Sequence, residues 1–158
     1  MRLMEIIHGN HIIHDLKALD KWEAIEELID HLVMEHEIRI IDREAVLDAV
    51  LERERSMSTG MEDNLAIPHG ATDFVEDTIG IIGISKKGIP FDSLDGKDTH
   101  IICMLVYPKD TFRQHVRTLA GIARLLQDPQ FRNDLINSSS AEEIIRIIEE
   151  KESKEFFK

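Results

Sequence analysis

One cysteine in 158 residues excludes an internal disulfide. That residue, Cys103, lies inside the run Ile101-Ile102-Cys103-Met104-Leu105-Val106, where apolar surroundings disfavour the thiolate and make it core filler rather than a reactive thiol. No stretch approaches the roughly 20 apolar residues that span a bilayer. The opening Met1-Arg2-Leu3-Met4-Glu5 forms no long apolar signal segment, so the chain reads as cytoplasmic, with no direct membrane insertion. Basic residues are outnumbered: 19 Lys and Arg stand against 31 Asp and Glu, a formal net charge of −12. Phosphate backbones require clustered cations, so this balance argues against nucleic acid as a partner. The acid excess either steers in a basic protein or serves solubility alone. Repeats and linkers are lacking, and the length suits one domain over residues 1–150 with a charged, fraying tail at 151–158.

What is present alternates between two periodicities. A strand is expected over residues 11–16, followed by a helix whose start carries Asp20 and Glu23 in a capping-box-like arrangement. Ile25, Leu28, Ile29, Leu32 and Val33 then repeat with the helical period. A second helix begins near Asp42, carries the stripe Val46, Leu47, Val50 and Leu51, and runs into Arg53-Glu54-Arg55 before breaking across residues 56–60. Strands are expected at residues 65–68, 78–85 and 99–107, the last two supported by β-branched content. Gly88-Ile89-Pro90-Phe91 and Asp95-Gly96 read as turns. The last third is helical: residues 111–127, a helix capped by Asp128 with Pro129 in its first position, and one opened by the capping box Ser140-x-x-Glu143. The fold class is α/β, a single-domain sandwich with a mixed β-sheet flanked by helices on both faces.

Three residues stand out chemically. In Asn64-Leu65-Ala66-Ile67-Pro68-His69-Gly70 a short apolar strand closes on proline, which cannot extend a ladder, and glycine then lets the backbone turn away. His69 should sit on a rim facing a cleft; a loop histidine of no consequence is the plain alternative. At about 100° per residue, Arg53 points within about 20° of Val46 and so toward the interior, whereas Arg55 points away. An inward guanidinium marks either a buried ion pair or an anion site, and Glu54 reads as solvated with Arg55. His115, three residues after Phe112 and four before Leu119, borders a buried helix face as a core or a functional histidine. His8, His11 and His14 invite a metal reading, but on a strand adjacent members of this trio point apart, and no metal-ligand set is evident.

The ordered set Arg53-Glu54-Arg55, Ser58-Thr59-Gly60, Leu65-Ala66-Ile67-Pro68-His69-Gly70, Gly88-Ile89-Pro90-Phe91-Asp92 to Asp95-Gly96, and Gln114-His115 with Leu119-Ala120 and Ala123-Arg124-Leu125-Leu126 covers nearly the whole chain. So arranged, it resembles the cytoplasmic IIA components of the fructose and mannitol type, nitrogen-regulatory members included, of the bacterial phosphoenolpyruvate-dependent phosphotransferase system. The resemblance implies that His69 accepts a phosphoryl group from the carrier HPr, or its nitrogen-branch counterpart, and passes it to a IIB component on a separate chain. It implies catalytic roles for His115 and Arg53 beside His69, and neither metal nor small cofactor. Ser58 and Thr59 are loop-shaping residues first and phosphate-contact candidates second. Where relatives carry Gly-Ile-Gly-Asn-Gly, this chain has Gly60-Met61-Glu62-Asp63-Asn64; the added carboxylates should face solvent or a basic partner.

Overall fold

A computed structural model describes residues 2–156. The chain runs α1 (Leu3–Ile6), β1 (Ile12–Ile13), α2 (Lys21–Met34), a 3₁₀ turn (Ile40–Asp42), α3 (Arg43–Ser56), β2 (Leu65–Ala66), β3 (His69–Thr72), β4 (Ile79–Ile89), β5 (Thr99–Pro108), α4 (Phe112–Leu125), α5 (Pro129–Ile136) and α6 (Ala141–Phe156). The strands form one mixed sheet in the order β1-β4-β5-β2, with β3 also paired to β5. β4 and β5 are antiparallel, and the other pairings are parallel.

β5 explains why helices lie on both faces. Its side chains alternate, as a strand requires, but they are apolar on either side. Ile102, Met104 and Val106 pack in one core with α2 and α3, while Ile101, Cys103 and Leu105 pack in a second core with α4, α5 and α6. Cys103 is fully buried, and desolvation pushes its thiol up to about 12. That suits core filler.

The helix starts follow local chemistry. The Asp20 carboxylate accepts from the Glu23 N–H at 2.9 Å, and Asp128 accepts from Gln130 N–H with Pro129 at the first helical position. At the last helix Ser140 Oγ accepts from Glu143 N–H, but the Glu143 carboxylate reaches back to Ser139 instead of Ser140.

Several expectations need correction. The first strand is two residues long, because the chain bends away at His14 and Asp15 before Leu16 N–H rejoins β4 at the Ile84 carbonyl. Gly88 is an irregularity inside β4, not a turn after it; the strand resumes at Ile89 opposite Thr99. The 151–156 segment does not fray. It is the end of α6, held by a Lys151–Asp128 ion pair at 2.8 Å and by the Glu152 carboxylate, which accepts from the N–H groups of Leu3 and Met4. Phe157 and Lys158 lie outside the described residues.

The largest correction concerns Gly70. The chain does not turn there: β2 and β3 run in line along the same side of β5, interrupted only at Ile67 and Pro68. Proline is tolerated because the pairing pauses at its missing N–H, while its carbonyl still accepts from Leu105 N–H at 3.0 Å. Glycine is required for a different reason. A Cβ at residue 70 would lie 2.9 Å from the backbone nitrogen of Val50 and 3.1 Å from the carbonyl carbon of Ala49, so α3 rests directly on the strand.

Candidate functional site

His69 opens β3 opposite Leu105, so its side chain shares the α4 face of the sheet with Leu105 and Tyr107. It is half-buried. Its Nδ1 lies 2.9 Å from the carbonyl oxygen of Ile67. A carbonyl can only accept, so Nδ1 carries the proton and Nε2 presents the lone pair. Burial pulls the imidazole below its ordinary pKa; the Ile67 bond opposes this, and the Arg53 guanidinium reinforces it. The ring is therefore neutral at neutral pH and of fixed tautomer.

His115, one turn into α4, comes to 5.0 Å from His69 between ring centroids. It stacks on Tyr107 at 3.5 Å and is buried, and neither ring nitrogen has a hydrogen-bond partner. Desolvation, aided by His69, lowers its pKa to about 4. A neutral imidazole keeps one N–H, so the site holds a buried donor that nothing in the resting protein uses.

Arg53 reaches the same place from α3. Its Nη1 donates to the Met57 carbonyl at 2.8 Å, closing the helix end, and no carboxylate among the described residues forms an ion pair with it. Of the two alternatives open from spacing, the buried ion pair is not what forms. With His69, Gly70, Tyr107 and Lys109 it lines a depression of about 520 Å³. A larger groove of about 1580 Å³ runs beside α2 and the 36–40 segment, but it holds neither His69 nor Arg53. The smaller hollow brings His69 and Arg53 together.

The remaining candidates do other things. Ser58 Oγ donates to the Phe91 carbonyl and accepts from Gly60 N–H. Thr59 turns its N–H and hydroxyl to Glu54, at 3.0 and 2.6 Å. Both hydroxyls thus spend their protons on shaping the loop. Glu62 and Asp63 are exposed, and Asp63 lies 4.0 Å from Arg132. Asp63 and Asn64 both take positive φ, 63° and 67°, at the tip of the hairpin joining Gly60 to Ala66. Asn and Asp tolerate that conformation best after glycine, which explains how this chain does without glycines there. His11 is buried with Nδ1 on the Gly80 carbonyl and Nε2 at 3.2 Å from Glu37, a structural position.

Two residues were missed from sequence. Glu54, read as solvated, is buried: its side chain pairs with Lys21 Nζ at 3.3 Å as well as with Thr59. Its spacing of four from Val50 and seven from Leu47 places it on the apolar stripe, the signal that should have found it. Tyr107, the platform under His115, is the last residue of an apolar run and carries no such signal.

Residues 5–151 match the family described as "Phosphoenolpyruvate-dependent sugar phosphotransferase system, EIIA 2". The chain is 30% identical over 148 residues to the PTS system fructose-specific EIIABC component of Bacillus subtilis, covering 94% of this chain but only 23% of that protein. It is 33% identical over 130 residues to the fructose-specific EIIA component of Haloferax volcanii, covering 82% of this chain and 83% of the relative. The crystal structure of nitrogen regulatory protein IIA-Ntr from Neisseria meningitidis superposes with a TM-score of 0.82 at 29% identity, over 91% of this chain and 97% of that one. The complex of enzyme IIA mannitol with phosphorylated enzyme IIB mannitol from Escherichia coli shares the fold, with a TM-score of 0.74 at 20% identity over 89% of this chain and 94% of the matched one.

Proposed function

The chain belongs to the EIIA 2 family of the phosphoenolpyruvate-dependent sugar phosphotransferase system, and from that premise we propose that it is a cytoplasmic phosphoryl carrier in which His69 Nε2 takes a phosphoryl group from phosphorylated HPr and hands it to a IIB component. The observation that carries this is the Nδ1–H of His69 on the Ile67 carbonyl, which leaves the nucleophilic lone pair on Nε2. As Nε2 attacks phosphorus, the donor's N–P bond breaks and the donor imidazole leaves neutral. The His69 ring gains positive charge, and the Ile67 carbonyl, already on Nδ1–H, stabilises it. The positively charged ring is also a good leaving group for the second transfer, to a nucleophile on IIB.

The transition state is loose, so the protein contributes position and charge. Arg53, free of carboxylate partners, binds equatorial oxygens as they swing between donor and acceptor. The unspent N–H of His115 donates to another. Met57 and Phe112, 69% and 67% exposed, offer apolar surface next to Arg53 and His115 on which a partner would dock. No helix of the described residues is long and apolar enough to cross a membrane.

The test is labelling with phosphorylated HPr. Wild type should acquire an acid-labile, base-stable phosphate on Nε2 of residue 69 and lose it to a fructose-type IIB component. His69→Ala should acquire none, and retained label in that variant would refute the assignment. A second reading, a nitrogen-branch regulator that uses His69 in the same way, draws on the likeness to IIA-Ntr. Phosphoryl transfer that stops at residue 69, with no IIB acceptor discharging it, would favour that reading.

A further inference from the structure

We propose that Glu54 is a positioning residue for phosphoryl transfer, setting the orientation of the His69 ring through Thr59 and Ile67; the inference rests on the reading of His69 as the phosphoryl carrier. The linkage is continuous. Glu54 accepts from both donors of Thr59, the Thr59 carbonyl accepts from Ile67 N–H at 3.2 Å, and the Ile67 carbonyl accepts from His69 Nδ1–H at 2.9 Å. Ile67 is held on both sides, its N–H by Thr59 and its carbonyl by His69, so a shift of Thr59 is passed through the Ile67 Cα to the following carbonyl. That carbonyl selects which ring nitrogen attacks.

The location of Glu54 adds to this. It follows Arg53 on the last turn of α3, so one helix end supplies both the phosphate-binding guanidinium and the clamp on the nucleophile's loop. The distance between cation and Nε2 is therefore determined by how Thr59 seats on Glu54. Misplacement by about 1 Å at such a centre typically costs on the order of 100-fold in rate. The carboxylate itself has no exposed side-chain surface, and Lys21, which neutralises it, is shared with Asp92 at 2.9 Å. A buried pair of this kind adds little stability over an apolar pair of the same volume, so its contribution here lies in geometry.

The experiment uses the full chain and three variants: Glu54→Gln, Thr59→Val, and Lys21→Met combined with Glu54→Gln. An amide in place of the carboxylate can accept only through its oxygen, which leaves a donor facing Lys21 or the Thr59 N–H. Transfer from phosphorylated HPr should lose about tenfold or more in kcat with KM little changed. Thr59→Val, which removes one of the two donors to the carboxylate and keeps the backbone N–H, should lose rate in the same direction but less than Glu54→Gln. Nitrogen-15 shifts of the unphosphorylated His69 ring should show a single Nδ1-protonated tautomer in wild type and a mixture in Glu54→Gln. The double variant removes the unbalanced buried charge, so its stability should recover while its rate stays low. Recovery of rate together with stability, or wild-type kcat and a single tautomer in Glu54→Gln, would overturn the proposal. Wild-type protein that takes no label at residue 69 would instead overturn the carrier reading on which it stands.

Discussion

His115 lies flat on Tyr107, ring centroids 3.5 Å apart and planes 14° apart, with both ring nitrogens sealed from water and unpaired. The stack sets the plane of the imidazole and holds it 5.0 Å from His69, with its one N–H donor unspent. An orphan donor in a native interior costs stability, and this one is tolerated beside His69.

That burial has a pH consequence. The folded protein holds His115 neutral down to about pH 4, whereas the unfolded chain takes up a proton near its ordinary value of 6.5. Stability from this group is fully present above pH 6.5 and is lost as pH falls toward 4, because the unfolded state binds the proton first. At about 1.4 kcal/mol per pKa unit the loss reaches up to about 3 kcal/mol. Urea unfolding at pH 7 and at pH 4.5 should show a smaller drop for His115→Phe, which keeps the ring stack without the titration. Equal drops would mean that the ring is solvated in solution.

Arg53 should separate rate from stability. Arg53→Gln is expected to slow phosphoryl transfer about 100- to 1000-fold, the usual worth of one group that stabilises developing charge. Losing its bond to the Met57 carbonyl should cost only about 1 kcal/mol of folding stability. Arg53→Lys keeps the charge without the planar fork and should fall between. Rapid-quench transfer assays check the order, and a wild-type rate in Arg53→Gln would make the guanidinium a helix cap and nothing more.

Gly70→Ala should damage both properties at once. The added methyl meets the backbone of Val50 and Ala49, which cannot rotate away, so α3 must lift from β3. Overpacking of this sort costs about 1–3 kcal/mol. Because Arg53 lies one turn further along α3, the variant should also transfer more slowly than its stability loss explains. A lowered urea midpoint with an unchanged transfer rate would show that the helix end does not follow the contact.

The pattern of success and failure in reading the sequence has physical causes. Helix starts at Asp20 and Asp128 were legible because capping is settled within four residues, and the helix-covered mixed sheet was legible from the alternation of strand and helix patterns along the chain. The place of His69 on the rim of a hollow was legible from its neighbours, yet the reason assigned to Gly70 was wrong. A glycine that permits a turn and one that admits a helix look identical in sequence, and only tertiary contact separates them. The brief β1 and the continuation of β4 past Gly88 likewise depend on which strand lies alongside. Glu54 was legible in principle from its step of four after Val50, but its charge was allowed to outweigh its position. The unpaired state of His115 had no signature at all, since what matters is the absence of partners that only the assembled core can supply or withhold.

The Glu152 carboxylate caps the first helix through Leu3 and Met4, at 2.6 and 2.9 Å, so the opening and closing helices are stitched together at one spot on the surface. A circular permutant that joins these helices by a short glycine linker and reopens the backbone at the exposed Asp95-Gly96 turn would keep every contact around His69. By the same geometry, a neighbouring module grafted upstream or downstream would swing from a common pivot.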